Sequence, residues 1–257
     1  IVIEKTNMFS ENIFDNILYY QKKGVGILTL IEWCENHLER IPSFLITKND
    51  ILNGFFKKSN NIELRIKRFG DFIFSLLLII ISFPIILTAI LIILLEDGKP
   101  IFYSQIRTGK DGKNFTITKL RTMRVNAENK GPQWSNKNDI RITKVGYFLR
   151  KLRIDELPQL ISVLKGEMSL IGPRPERPVI EAKFKKLIPN YDQRYTIRPG
   201  LSGWAQVNYP YGASCEDSQN KLGYDLFYIC NYSLHLDLLI LFKTMRTVFS
   251  GKGSTPN

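Results

Sequence analysis

From Phe72 to Leu95 the chain runs 24 residues without a charged side chain, bounded by Asp71 and Glu96. As a helix this run would be about 36 Å long, enough to cross the hydrocarbon core of a bilayer. A buried core helix is the alternative. Apolar residues occupy every face of the run, which favours lipid as its neighbour. Pro84 stands near the middle, where it removes a hydrogen bond and bends a helix. Both flanks are basic, with Lys57, Lys58, Arg65, Lys67 and Arg68 before the run and Lys99, Arg107, Lys110, Lys113 and Lys119 after it. The preference of basic flanks for the cytoplasm then places both ends on one side. A re-entrant helix over 72–95 that enters, breaks at Ser82–Pro84 and returns satisfies both facts.

Charge narrows the class of partner. The 257 residues carry 36 Lys and Arg against 24 Asp and Glu, a net +12. That balance suits a polyanion: nucleic acid, an anionic membrane surface or a phosphorylated ligand. Nucleic acid is the weaker reading, because no recognition motif accompanies the charge. Cys34, Cys215 and Cys230 are widely spaced, which implies a reducing compartment and no disulfide framework. Two histidines, His37 and His235, make a zinc site or a histidine-based triad improbable. The first Met is Met8 and no signal-peptide pattern opens the chain, so a fragment of a longer protein is expected.

Residues 1–61 read as a soluble piece. Ile1–Ile3 suits the end of a strand, Ile27–Ile31 a buried strand, and Ile31–Arg40 a helix ended by Pro42. This alternation suggests α/β packing. Gly24-x-Gly26 is no dinucleotide fingerprint, since it lacks a third glycine and precedes the strand. Lys57–Asn61 reads as a linker.

After the apolar run, Ile101–Ile106 and Phe115–Leu120 are strand-like around an Asp111-Gly112 turn. Lys119 and Arg121 lie two apart and so share a face. They are either salt-exposed surface or ligand contacts. Asn126–Asp139 reads as a mobile polar loop. Ile140–Arg153 is an amphipathic basic helix suited to a headgroup layer, and Pro178–Ile188 is a second. Leu238–Phe249 is a final apolar helix.

The chemistry concentrates between Arg153 and Glu176. Asp155 and Glu156 stand just before Leu157-Pro158, and Pro158 fits the first turn of a helix. The two acids would then sit at a helix N-terminus, where anions are stabilised. Such a carboxylate can bind a metal or attack an electrophile, or it can simply cap the helix. Arg150, Arg153 and Arg174 nearby point to a phosphate-bearing guest.

The stretches D-E-L-P-Q-L and V-L-K-G-E-M-S-L-I-G-P-R-P-E closely resemble the bacterial sugar transferase family, monotopic phosphoglycosyl transferases that act on polyprenol phosphate. The resemblance runs from about Arg65 to Phe249. It includes F-Y-S-Q-I-R-T-G-K-D-G-K-x-F-x-I-x-K-L-R-T-M, R-Y-T-I-R-P-G-L-S-G-W-A-Q-V (Arg194–Val207) and K-L-G-Y-D-L-F-Y-I-C-N-Y-S-L-H-L-D (Lys221–Asp237). In better-known members a Ser immediately precedes the membrane Pro; here Phe83 does, with Ser82 one further back.

The resemblance implies an α+β, mainly helical fold: a re-entrant membrane helix, interfacial amphipathic helices and a small β-hairpin or sheet. Residues 1–61 would be the C-terminal part of a Rossmann-like accessory domain plus linker, and 62–257 the membrane-associated transferase. It implies transfer of a sugar-1-phosphate from a UDP-sugar to polyprenyl (undecaprenyl) phosphate, with release of UMP. Asp155 would be the nucleophile and a Mg2+ ligand, and Glu156 its supporting carboxylate as metal partner or base. Arg150, Arg174 and Arg198, with Lys119, Arg121, Pro173 and Pro175, would bind phosphate or nucleotide. The setting would be the cytoplasmic face of a bacterial inner membrane, in contact with its lipid and with no nucleic acid. Homo-oligomerisation through the N-terminal segment is a further expectation. Glucose or galactose is the expected sugar. A non-catalytic scaffold of a polysaccharide assembly complex is the alternative, against which the Asp155-Glu156 pair speaks.

Overall fold

A computed structural model describes residues 1–4, 10–56, 61–127, 139–210, 212 and 214–250. The chain begins with β1 (Val2–Ile3), α1 (Glu11–Lys22), β2 (Leu28–Thr29) and α2 (Leu30–Leu38). The strands pair in parallel, Val2 opposite Leu28. The expected strand at 27–31 stops at Thr29 because a capping box starts the helix there. The Thr29 hydroxyl accepts from the Glu32 N–H at 3.2 Å, and the Glu32 carboxylate accepts from the Thr29 N–H at 2.7 Å. One such βαβ unit is too short to identify a Rossmann-like domain.

Residues 39–56, including α3 (Lys48–Leu52), pack into a core shared with residues 180–230. Ile41 and Ile46 are buried in a cluster with Phe184, Ile188, Leu222 and Leu226. The Ile41 N–H donates to the Gly223 carbonyl at 2.9 Å, and the Trp204 indole N–H to the Glu39 carbonyl at 2.9 Å. Most of the expected linker, 57–60, lies outside the described residues.

The apolar run forms part of α4 (Asn61–Asp97), which stays helical through Pro84. Among the described residues it is one helix long and apolar enough to cross a membrane. Its buried positions are Asp71, Ser75, Ser82, Ala89 and Ile93, with Ile79 and Ile86 half-buried. Steps of three and four between them trace one helix face. Phe72, Phe74, Leu77, Ile80, Ile81, Phe83, Leu87 and Leu91 are exposed. Full burial of such a side chain gains about 1.5–3 kcal/mol and these are about half exposed, so each would gain roughly 1 kcal/mol on leaving water and this surface calls for an apolar neighbour. The Ser82 hydroxyl donates to the Ile79 carbonyl at 3.4 Å, not to Ile80, whose helical donor Pro84 removes.

Both ends of α4 are fastened to the same body. At the N-terminal end, the Arg68 guanidinium donates to the carbonyls of Val163 (2.6 Å) and Leu164 (2.8 Å), and Asp71 accepts from the Leu170 N–H at 3.0 Å. At the other end, the Glu96 carboxylate accepts from the Val145 N–H at 3.2 Å, and Asp97 pairs with Arg121 at 3.0 Å.

β3 (Phe102–Thr108) and β4 (Asn114–Leu120) form the expected antiparallel hairpin, with Tyr103 opposite Lys119. The loop expected at Asn126–Asp139 lies mostly outside the described residues. The amphipathic helix expected over 140–153 is shorter: α5 spans Lys144–Lys151. Thr143 caps it, accepting from the Gly146 N–H at 2.9 Å, and Arg153 closes the segment in the left-handed region at φ 58°. Leu149 packs with Ala89, Ile93 and Leu120, while Tyr147 and Phe148 stay exposed.

The remainder is α6 (Leu160–Lys165), β5 (Ser169–Ile171), α7 (Pro178–Leu187), β6 (Gly200–Ser202), α8 (Trp204–Asn208), α9 (Cys215–Cys230) and α10 (Leu234–Ser250). β5 and β6 pair in parallel, Ser169 opposite Gly200. The Gly172 N–H donates to the Ser202 carbonyl at 2.8 Å, and a Cβ on Gly200 would lie 2.1 Å from the Gly172 nitrogen. Only glycine permits that approach, and it fixes the start of the Gly172–Pro175 segment.

Candidate active site

Asp155 and Glu156 open a six-residue 3-10 turn, Ile154–Gln159, entered from the left-handed Arg153. Pro158 lies inside this turn, and α6 starts only at Leu160. The acids thus stand at a helix N-terminus as expected, but the helix is a short 3-10 turn that leads into α6. Their electrostatics come mainly from side chains.

The adjacent acids face different partners. Glu156 is held by Arg174, at 2.6 Å and 3.4 Å to its two oxygens, and by Arg153 at 3.4 Å. Burial pushes its carboxyl up, but Arg174 and then Arg153 outweigh burial and hold it well below the usual carboxylate range. Asp155 is 5% exposed and, among the described residues, enters no ion pair. Burial first, and the Glu156 charge second, push it up against the pull of Lys119, Arg150 and Arg153. One carboxylate is thus locked, and the other is left available among cations.

Both acids line a cavity of about 620 Å3 whose described walls carry ten Lys and Arg against four Asp and Glu. The strand alternation supplies one wall: Tyr103, Gln105 and Arg107 from β3, and Lys119 from β4. The Lys119 ammonium lies 5.4 Å from the centre of the Tyr103 ring. Burial lowers its pKa, partly restored by Asp155. Arg150 donates to the Thr122 hydroxyl at 2.8 Å. Arg107 pairs through Nη1 with Glu176 at 3.5 Å, while its Nε, among the described residues, is buried without a hydrogen-bond partner. Burial lowers its pKa, Glu176 opposes that, and the like charges of Arg174 and Arg177 add to it. Such crowding is relieved by an anionic guest.

Of the residues expected to bind phosphate, Lys119, Arg150, Arg174 and Pro175 line the cavity. Arg121 lines it too; its Nη2 pairs with Asp97 and donates to the carbonyls of Asp97 and Gly98, each at 2.9 Å, while its Nη1, among the described residues, is buried without a hydrogen-bond partner. It staples the end of α4. Arg198 lies outside the cavity and donates to the Gly166 carbonyl at 2.9 Å. Pro173 is also outside it; its carbonyl accepts from the Gly200 N–H at 2.9 Å.

A family model described as bacterial sugar transferase matches residues 62–251. The chain belongs to the bacterial sugar transferase family. It is 46% identical over 189 residues to the UDP-N-acetylgalactosamine-undecaprenyl-phosphate N-acetylgalactosaminephosphotransferase of Aeromonas hydrophila, covering 74% of this chain and 45% of that protein. It is 36% identical over 220 residues to the UDP-glucose:undecaprenyl-phosphate glucose-1-phosphate transferase of Klebsiella pneumoniae, covering 82% and 47%. The protein of that name from Escherichia coli (strain K12) matches at 36% over 191 residues, covering 74% and 41%. The chain spans less than half the length of these three relatives.

In this sugar transferase a divalent metal would have few protein ligands. Among the described residues no three His, Cys, Asp or Glu side chains converge on one point. Mg2+ is commonly held by one or two carboxylates, with water and substrate phosphates completing its shell. Asp155 meets that requirement, whereas Glu156 is occupied by Arg174 and Arg153. The donor set therefore fits Mg2+ brought in with a diphosphate.

Several wall residues were not anticipated: Arg107 and Arg177, and Lys221 and Asp225 on α9. Arg194, from a segment whose two Arg suggested an anion-binding loop, also lines the cavity. For Arg107 the signal was present, because Tyr103, Gln105 and Arg107 alternate with Phe102, Ser104 and Ile106. The α9 residues enter only through tertiary packing.

Proposed function

We propose that this protein transfers a sugar-1-phosphate from a UDP-sugar to polyprenyl (undecaprenyl) phosphate at the cytoplasmic face of a bacterial inner membrane. The observation that carries this reading is the division of labour within one cationic cavity. Glu156 is locked by arginines, and Asp155 faces the cavity without an ion pair among the described residues. The relatives' names supply the substrate classes.

The chemistry proceeds in two displacements. A carboxylate oxygen of Asp155 attacks the phosphorus attached to the sugar. The bond from that phosphorus to the bridging oxygen breaks, and UMP leaves. An oxygen of the polyprenyl phosphate then attacks the same phosphorus, the bond to Asp155 breaks, and polyprenyl-diphospho-sugar leaves. A covalent intermediate lets one site serve a soluble donor and a lipid acceptor in turn. Lys119, Arg150 and Arg107 offset the charge that develops on phosphate oxygens. Mg2+, when bound beside Asp155, would neutralise part of the diphosphate charge. Glu156, fixed as an anion, holds Arg174 in the wall.

Topology belongs to the same reading. Both ends of α4 are tied to the body that carries Asp155, through Arg68 and Asp71 at one end and Glu96 and Asp97 at the other. A re-entrant helix meets that condition, with its exposed face in lipid and both ends cytoplasmic.

The test is UMP release by the purified protein given Mg2+, undecaprenyl phosphate and a panel of UDP-sugars. The panel includes UDP-N-acetylgalactosamine, UDP-glucose and UDP-galactose. Release with one donor, dependent on the lipid for multiple turnovers, supports the proposal. No release with any donor contradicts it.

A further inference from the structure

Behind Arg174 lies a buried ion pair that the two displacements leave unused. Arg194, in the 3-10 turn Tyr191–Tyr195, meets Asp225 of α9 at 2.9 Å, with side chains 9% and 3% exposed. A buried pair of this kind forfeits hydration and is weak evidence for stability. The other bonds of Arg194 suggest a different use. Its Nη1 donates to the Tyr191 hydroxyl at 2.6 Å, and its Nη2 donates to the main-chain carbonyl of Arg174 at 2.8 Å. The Arg174 guanidinium in turn holds Glu156 at 2.6 Å.

We propose that Asp225 and Arg194 are positioning residues for the reacting carboxylates. Asp225 orients Arg194, Arg194 fixes the main chain at Arg174, and Arg174 holds Glu156 beside Asp155. The three links span 31, 20 and 18 residues of sequence, so the series ties α9 to the 3-10 turn of the acids through segments remote from each other in the chain. This inference rests on the transferase reading above.

If Arg174 shifts, Glu156 loses the guanidinium that fixes it beside Asp155 at 2.6 Å. A displacement on the order of 1 Å at a reacting centre costs about a hundredfold in rate.

The experiment measures kcat and donor KM for UMP release by the full chain, for wild type, Asp225→Asn, Arg174→Lys and the double variant. Asp225→Asn is expected to lower kcat about tenfold to a hundredfold while leaving the donor KM nearly unchanged, and Asp225→Glu should restore part of kcat. The double variant should be no slower than the slower single variant, the signature of residues acting in series. Multiplicative losses would overturn the proposal, as would a loss carried mainly by donor KM. Should Asp225→Asn fail to fold, Arg194→Lys keeps the charge but not the set of three bonds. The same loss of kcat is expected there, and a wild-type kcat overturns the proposal. Absence of UMP release in the wild type would instead remove the transferase reading on which it stands.

Discussion

Replacing Gly146 by alanine should damage catalysis without touching a reacting group. Gly146 lies in the first turn of α5, against the main chain of Thr122. A Cβ there would fall 2.1 Å from the Thr122 oxygen, 2.7 Å from its carbonyl carbon and 2.8 Å from its Cα. Carbon atoms make their best contact at about 3.5–4.0 Å, so α5 and the chain after β4 must separate by about 1 Å. All three clashing atoms are main chain, so no rotamer change relieves them. Arg150, one turn further along α5, bonds to the Thr122 hydroxyl at 2.8 Å, and the Thr143 N–H donates to the Thr122 carbonyl at 3.1 Å. The clash thus parts the two groups that set Arg150 in the cavity wall. Overpacking of this kind costs about 1–3 kcal/mol. For a chain of this size that lowers Tm by about 2–12 °C. A misplacement on the order of 1 Å should cost about a hundredfold in turnover. The assay pairs a thermal melt in detergent with UMP release. A wild-type Tm and a near-wild-type rate would show that α5 does not approach Thr122 as described.

Other parts of the structure carry four further expected outcomes. Ile41→Ala should cost about 2–5 kcal/mol, because Ile41 is wholly buried against Phe184 and Leu222; an unchanged melting temperature would mean that residues 39–46 are not docked. A chain beginning near Asn61 retains Asp155 and Glu156, so it should still release UMP, at lower stability; total loss of activity in a folded truncation would count against this. Single cysteines near Arg65 and Lys99, in a variant lacking Cys34, Cys215 and Cys230, should both resist an impermeant thiol reagent in intact cells, whereas labelling of one end alone would mean a true span. With pH, the rate should rise as Asp155, pushed up by burial and by Glu156, loses its proton. Removing the Arg150 charge withdraws a cation that favours the Asp155 anion, so Arg150→Met should move that rise to higher pH; a shift to lower pH would contradict the assignment.

What the sequence disclosed depended on whether the signal was local. The hairpin was legible because period-two alternation flanks Asp111-Gly112, and its strands pair as expected. Asp155 and Glu156 were legible from their contiguous motif. The shortening of α5 was not, because apolar spacing continues through Leu152 while the left-handed Arg153 and the cap at Thr143 set the ends. The buried face of α4 was hidden for a different reason. A run that is apolar all round has no polar side to mark its back, and only the small Ser75, Ser82 and Ala89 betray the packed face. Arg121 and Arg198 were expected at phosphate because guanidiniums suit it. Both also donate to main-chain carbonyls of a distant segment, and Arg121 lines the cavity whereas Arg198 lies outside it, which spacing along the chain cannot reveal. The docking of Ile41 on Gly223 and the entry of Asp225 into the cavity are likewise products of long-range packing.

Whether Asp155 forms a covalent bond to the donor phosphorus is decided by intact-protein mass. Purified protein is incubated with the UDP-sugar that supports turnover and Mg2+, with no lipid acceptor. A mass gain of one sugar-phosphate and release of UMP up to about one equivalent are expected. The adduct should be missing in Asp155→Asn and should vanish when undecaprenyl phosphate is added. If no adduct forms, and UMP is released only when donor and acceptor are both present, transfer is direct and Asp155 is not the nucleophile.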